Sequence, residues 1–406
     1  MKAPQLREGH QVRLLQGGAE FFPSLVAAID ASVQEVRLET YIFNFDTAGE
    51  QVAAALERAA VRGVHVYLLM DGIGTPHVPE AWAKRLSEAN VRWHRFSPLG
   101  RWGFLVPVVW RRLHRKLCVV DKHTAFCGGI NVLDDYYDPG HGALESPRFD
   151  FSVAVQGPLV ADTYRAMVQF WDRLQITRQL KQMDFKDARL TWKVSKRSAH
   201  SADAASRSRL QGAHAGIKAM LVMRDNLRNR NRIERTYLKA IANARTEVVI
   251  ANAYFLPGGK LRRALIHAAK RGVRVRLLLQ GRYEYFMQYH GARTVLGVLL
   301  AAGIEIHEYS VGFLHAKVAV VDGRWATVGS SNLDPLSFLL AREANVVVDD
   351  APFAQSLRAC LEVAMDTQGR QLDAHTFAQR PWRQRLLDRL AFGVMRLLLL
   401  LAGRRY

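Results

Sequence analysis

Cysteine is scarce. Only Cys118, Cys127 and Cys360 occur among 406 residues, and no two form a CxxC pair. This argues against a disulfide framework or a cysteine-built zinc site and favours a reducing compartment. Cys118 is expected to be a small buried residue inside a strand. Long apolar runs are missing as well: none reaches the roughly 18 residues that a spanning helix requires. The opening MKAPQLREGHQVRLLQGG lacks the apolar centre of a secretory signal. The chain is therefore not expected to cross a bilayer. Acidic residues are outnumbered, 37 Asp plus Glu against 57 Lys plus Arg, leaving a net charge of +20. So basic a surface seeks polyanions, either nucleic acid or a membrane leaflet rich in anionic lipid, and composition alone does not choose.

What the chain does have is one pattern written twice. HRKLCVVD at 114 continues to GGIN, and HAKVAVVD at 315 continues to GSSN. The two copies, His114, Lys116, Asp121, Gly128, Asn131 and His315, Lys317, Asp322, Gly329, Asn332, share their internal spacing. Such a repeat marks an internal duplication. It extends upstream, where ERAAVRGVHVYLLMDG at 57 matches HAAKRGVRVRLLLQG at 267.

Around these landmarks, apolar periodicity alternates between helix and strand. Strands are expected at 12–15, 36–43 and 64–70, with helices at 19–32 and 48–60. In the second half, strands are expected at 220–223, 248–255 and 273–279, with helices at 232–243 and 261–269. Alternation of this kind predicts a sheet with helices packed on its faces, here as two homologous α/β lobes. The expected division is 1–180 for the first lobe, 181–215 for a basic linker, 216–372 for the second lobe and 373–406 for a tail.

Two further segments suit a lipid boundary. The stretch 96–116 sets Trp102, Phe104, Leu105 and Trp110 beside Arg101, Arg111 and Arg112. After Pro381, the tail combines Trp382, a leucine-rich run and closing arginines. It is too short and too interrupted to span, but long enough to lie in the interface as a helix, or to dock on its own domain.

The motifs dictate a chemistry. On a strand, residues i and i+2 face the same way, so His and Lys of each copy project together. Two imidazoles and two ammonium groups brought together by the pseudo-symmetry form a cationic pocket for a phosphodiester. The lysines and the Asn131 and Asn332 amides would hold its non-bridging oxygens. One histidine would attack phosphorus to give a phosphohistidine, while the other protonates the departing oxygen and later deprotonates the incoming alcohol or water. With the lysines supplying positive charge, neither metal nor other cofactor is required. A histidine in such a role needs an orienting carboxylate, and Asp150 in the first lobe and Glu343 in the second are the candidates. Asp121 and Asp322 belong to the motif and so to its catalytic set, yet their offset from Lys suits fastening a turn.

These residues resemble the phospholipase D superfamily, whose signature is the doubled His-Lys-Asp motif with its Gly/Ser and Asn element. Within it, LETYIF at 38, IERTYLKAI within the segment from 224, IANAYFLP at 250 and GSSNLDPLS are similar to the shorter, B-type bacterial cardiolipin synthases. The resemblance implies two α/β/α lobes related by a pseudo-twofold axis, with the active site at their interface. It implies phosphatidyl transfer between two phosphatidylglycerol molecules to give cardiolipin and glycerol, with His114 as nucleophile and His315 as acid/base. It also implies a peripheral place on the cytoplasmic face of the cell membrane, with anionic phospholipid rather than nucleic acid as partner. A phospholipase-like phosphodiesterase or nuclease is the competing reading, and a lipid binder with a disused site is a third.

Overall fold

The elements fall into two copies of one unit. The first runs β1 (Arg7–Gln16), α1 (Gly17–Asp30), β2 (Glu35–Thr40), α2 (Thr47–Val61), β3 (His65–Asp71), α3 (Glu80–Glu88), β4 (Arg92–Phe96), β5 (Arg112–Leu113), β6 (Lys116–Val120) and β7 (Thr124–Gly128). It continues through a small hairpin, β8 (Tyr137–Asp138) and β9 (Gly142–Ala143), to β10 (Phe151–Gln156) and α4 (Pro158–Lys181). The second runs β11 (Ile217–Arg224), α5 (Arg232–Asn243), β12 (Glu247–Asn252), α6 (Gly259–Lys270), β13 (Arg274–Gln280), α7 (Phe286–Leu300), β14 (Glu305–Tyr309), β15 (Lys317–Val321), β16 (Trp325–Gly329), β17 (Ala341–Asp349) and α8 (Ala351–Gln368). After it come β18 (Gly369–Gln371), α9 (Ala374–Ala378) and α10 (Trp382–Leu401). The computed structural model describes residues 4–98, 111–181, 216–225, 229–282, 286–334 and 341–401. The tip of the apolar and arginine-rich stretch and nearly all of the expected linker lie outside the described residues.

The repeated Arg-Gly-Val explains how helix becomes strand in both copies. Gly63 and Gly272 adopt φ of 89° and 86°, the left-handed conformation that ends a helix at least cost when the residue is glycine. The preceding arginine reaches back to the end of the previous helix: Arg62 Nη2 donates to the carbonyls of Ile29 (3.1 Å) and Ser32 (3.3 Å). Arg271 Nη2 does the same to Ile241 (3.1 Å) and Ala244 (3.2 Å). Val64 and Val273 then enter the core.

The strands form one sheet through both lobes, in the order β18-β14-β13-β12-β15-β16-β17-β11-β1-β10-β7-β6-β2-β3-β4, with β5 on β17. Read outward from the antiparallel junction of β1 and β11, each lobe repeats the same succession, so the pseudo-twofold axis passes between them. Two separate sheets would have met the sequence expectation equally well; the shared one ties the lobes together. Strand interiors are buried on both faces. In β6, Leu117 and Val119 enter a core shared by both lobes with α4 and α8, while Cys118 and Val120 face the first lobe's own core under α1, α2 and α3. Cys118 is thus the buried strand residue expected.

The tail is a helix docked on the second lobe. Ala391 and Met395 of α10 are buried, the Met395 side chain lying against Gly291 of α7. His290 Nδ1 meets Asp388 at 2.7 Å, and Arg380 Nη1 donates to the same carboxylate at 3.0 Å. No helix among the described residues is long and apolar enough to cross a membrane.

Candidate active site

His114 and His315 each lead into the inner strand that carries their lysine, and each is held by the opposite lobe. The His114 amide donates to the Arg342 carbonyl at 3.1 Å, and its Nδ1 lies 3.1 Å from Glu343 Oε2. The His315 amide donates to the Phe149 carbonyl at 2.9 Å, and its Nδ1 lies 2.6 Å from Asp150 Oδ2. In both cases the carbonyl belongs to the residue just before the carboxylate. Each histidine is therefore gripped at backbone and ring by one dipeptide of the other lobe. The sequence offered both carboxylates as candidate orienters, with chain order associating each with the histidine of its own lobe; the structure sets each against the histidine of the other. A ring held through Nδ1 has Nε2 as the nitrogen that could meet a substrate.

Lys116 Nζ donates to the His114 carbonyl at 2.7 Å, and Lys317 Nζ to that of His315. Both lysines are buried. Burial, only partly offset by Glu343, brings the Lys116 ammonium down to about 7. Burial also lowers His114, and it lowers His315 further with the help of both lysines. These shifts are those of cationic groups crowded together and buried, with the carboxylates only partly compensating. Asn131 and Asn332 are buried, each three residues past the end of its strand, β7 or β16. The amide oxygen of Asn131 accepts from the Ile42 amide at 3.2 Å, which leaves its NH2 group for another oxygen.

The lobes are not equivalent here. Ser330 Oγ donates to Glu343 Oε2 at 2.5 Å. The matching position in the first lobe is Gly129, where a side chain would begin 2.3 Å from Asp150 Oδ1. Burial pushes Glu343 up, but His114, Lys116 and the Ser330 hydroxyl outweigh it and hold the carboxylate below its ordinary range. Asp150 lacks that hydroxyl, and burial lifts it to about 7.

Asp121 and Asp322 are not part of the pocket, which corrects their place in the catalytic set. Asp121 accepts the amides of Val33 (2.9 Å), Gln34 (2.8 Å) and Glu35 (2.8 Å). Asp322 accepts those of Arg245 (2.9 Å), Thr246 (2.8 Å) and Glu247 (3.0 Å). Each sits at positive φ, 50° and 51°, and fastens the start of β2 or β12. That is the turn role their spacing suggested.

Two residues escaped the sequence reading. Asp71, fully buried at the end of β3, accepts from the Leu113 amide (2.7 Å), the Ile73 amide (2.8 Å) and Arg112 Nη1 (3.0 Å), bracing the chain just before His114. Its only signal was a carboxylate closing an apolar run. The Tyr41 ring lies 4.9 Å from the His114 ring, with Lys116 Nζ 5.4 Å from its centre.

Paired α/β lobes that close two His-Lys motifs into one pocket are the architecture of the phospholipase D superfamily, a class of enzymes acting on phosphodiesters. The family model described as cardiolipin synthase, PLD-like domain, matches residues 25–141 and 237–363, and the chain belongs to that family. It is 38% identical to cardiolipin synthase B of Salmonella typhi over 96% of this chain and 89% of that protein. It is 37% identical to cardiolipin synthase B of Escherichia coli K12 over the same shares. With cardiolipin synthase of Geobacillus kaustophilus the identity is 29%, over 93% of this chain and 70% of that one. Among solved structures, phosphatidylserine synthase of Haemophilus influenzae shares the fold at a TM-score of 0.66 and 13% identity, covering 97% of this chain and 95% of that one.

Proposed function

We propose that this enzyme makes cardiolipin by moving a phosphatidyl group between two phosphatidylglycerol molecules. The observation that carries the mechanism is the pair of histidines clamped across the lobes beside two buried lysines. His114 Nε2 attacks the phosphorus of the first lipid. The phosphorus–oxygen bond to glycerol breaks as His315 gives its proton to the leaving oxygen, and a phosphatidyl-histidine remains. His315, now neutral, takes the proton of a hydroxyl on the second lipid's headgroup. That oxygen displaces His114, and cardiolipin leaves. Lys116 and Lys317, with the Asn131 and Asn332 amides, hold the equatorial oxygens as charge builds on them. The Ser330–Glu343 pair favours His114 as nucleophile, because a carboxylate kept anionic supports the positive charge that its imidazole acquires.

Its place on the membrane is read as peripheral, on the cytoplasmic leaflet, with anionic phospholipid as both substrate and support. Free thiols at Cys118, Cys127 and Cys360 suit a reducing compartment. The exposed side of α10 offers Trp382, Leu386, Leu390, Val394 and Leu397 at helical spacing among arginines.

The deciding experiment is mass spectrometry of lipids after incubating the purified protein with phosphatidylglycerol vesicles, beside His114→Ala. Cardiolipin and glycerol in equal amounts, absent from the variant, are expected. Phosphatidic acid in their place would make water the acceptor and the enzyme a phospholipase.

A further inference from the structure

A second concentration of positive charge lies outside the His-Lys pocket, in an open groove of about 1490 Å³ between the edge strand β4 and the C-terminal half of α4. Arg92 and Arg95 come from β4, Arg173 and Arg178 from α4, Arg111 from just before β5, and Arg342 from β17 itself, where it pairs with Leu113. No Asp or Glu among the described residues lines the groove. Among the described residues none of these six arginines is within ion-pair distance of a carboxylate. Elsewhere in the same lobe arginines are commonly matched, Arg58 with Asp30, Arg85 with Glu57 and Arg115 with Glu39. Unmatched cations gathered on one surface repel one another, so such a cluster is disfavoured unless an anion joins it.

The groove is also built rather than incidental. The His94 ring stacks on Trp171 at 4.8 Å and meets Arg178 Nη1 at 2.7 Å, and burial together with Arg178 takes this histidine down to about 4. The Arg342 guanidinium lies 4.4 Å over the Phe170 ring, and its buried Nε has no partner among the described residues. Burial and the neighbouring arginines, only partly offset by Asp225 and Glu39, bring Arg342 to about 10. Of the rings that line the groove, Phe170 lies under Arg342 and against Phe96, His94 is stacked on Trp171, and Trp93 is tied through Nε1 to Ser87 Oγ at 3.2 Å, so arginine outweighs open ring surface. Groups with phosphate and no aromatic surface fit better.

We propose that this groove is a second anion site, which seats the phosphate groups of anionic phospholipids in the leaflet apart from the lipid undergoing reaction. It rests on the proposed function only for the source of the phosphate, the membrane that supplies the substrate.

The test is co-sedimentation of the full chain with vesicles of phosphatidylcholine and phosphatidylglycerol in equal parts. Each arginine near an anionic leaflet contributes a factor of about five, so Arg173→Gln/Arg178→Gln should bind roughly 25-fold more weakly. Arg58→Gln/Arg85→Gln, which removes the same charge from matched arginines, should lose less than about threefold. Thermal unfolding checks both proteins; if the groove double variant is unfolded, Arg173→Gln alone, at an exposed helix position, should show about a fivefold loss. Equal losses in the two double variants, or none in either, overturn the proposal. So does a greater loss for a single-stranded oligonucleotide than for vesicles. Inorganic phosphate, followed by phosphorus NMR, separates the sources: loss of phosphate binding with unchanged vesicle binding overturns the leaflet assignment. Turnover of dispersed short-chain phosphatidylglycerol should be equal in parent and variant. Were the parent to show no phosphatidyl transfer while vesicle binding still depended on the groove, the proposed reaction would fail and the groove would stand.

Discussion

Burial brings the Lys116 ammonium down to about 7 and lifts Asp150 to about the same value, while His114 falls below its ordinary 6.5. The free enzyme therefore has a narrow working window. Below it the His114 imidazole takes a proton and cannot attack; above it His315, held well below its ordinary value, has lost the proton it must give, and above about 7 Lys116 also loses the charge that binds the phosphodiester. We expect kcat/KM for dispersed phosphatidylglycerol to trace a bell with its maximum on the acid side of neutrality, falling on the alkaline side as His315 and then the Lys116 ammonium deprotonate. A rate still climbing between pH 8 and 9 would contradict this assignment of Lys116. Glu343→Gln keeps the shape of the clamp but removes its charge, and kcat should fall about 100-fold or more with the fold intact by circular dichroism. Ser330→Ala should act more mildly and in the same direction.

At the level of elements, the motif aspartates make a contrasting case. Three backbone amides at the head of β2 converge on Asp121, and three at the head of β12 on Asp322. Both carboxylates are held below the usual range: burial would raise them, but the amides prevail. Asp121→Ala and Asp322→Ala should each cost about 1–2 kcal/mol, because solvent reaches both carboxylates and discounts the bonds. Urea unfolding would show this loss at neutral pH. The carboxylate contribution is present above about pH 4 and disappears as pH falls through the lowered folded value, so the variants should converge with the parent in acid. kcat per folded molecule should be unchanged; a loss like that of His114→Ala would return both residues to the catalytic set.

The same elements show what a sequence can disclose. Periodicity placed helix 232–243 at the bounds observed for α5 and put β2, β3, α2 and α6 within a few residues, because each has one clean apolar rhythm. β1 runs from Arg7 to Gln16 rather than over 12–15, since its polar N-terminal half is held by pairing with β11 and β10, which no local pattern reveals. Spacing singled out His114, Lys116, His315, Lys317, Asp150 and Glu343 as candidates, and the fold brings them together. It could not show that Asp150 serves His315, because adjacency across a pseudo-twofold axis leaves no trace in chain order. The arginine groove was hidden for a similar reason: its members come from segments far apart in the chain.

For the molecule as a whole, surface decides where it works. α10 spends one side on α7 and leaves Leu386, Leu390 and Val394 in solvent, 47%, 57% and 49% exposed. Burying such side chains in lipid gains on the order of 1.5–3 kcal/mol each when complete. Leu386→Ser/Leu390→Ser/Val394→Ser should therefore reduce sedimentation with phosphatidylglycerol vesicles at least tenfold. Turnover of dispersed lipid should stay as it was, and unchanged sedimentation would remove α10 as a membrane contact.

The exchanged carboxylates carry a consequence for timing. Because Glu343 serves His114 and Asp150 serves His315, any movement that parts the lobes unseats both reagents in the same instant. In the proposed reaction the half-finished state, with lipid bonded to one histidine, would be competent only while the halves stay shut. A breathing motion that admits water also withdraws the base that would activate it. Fidelity toward alcohol over water can in this way be a property of the joint between the lobes rather than of any one residue.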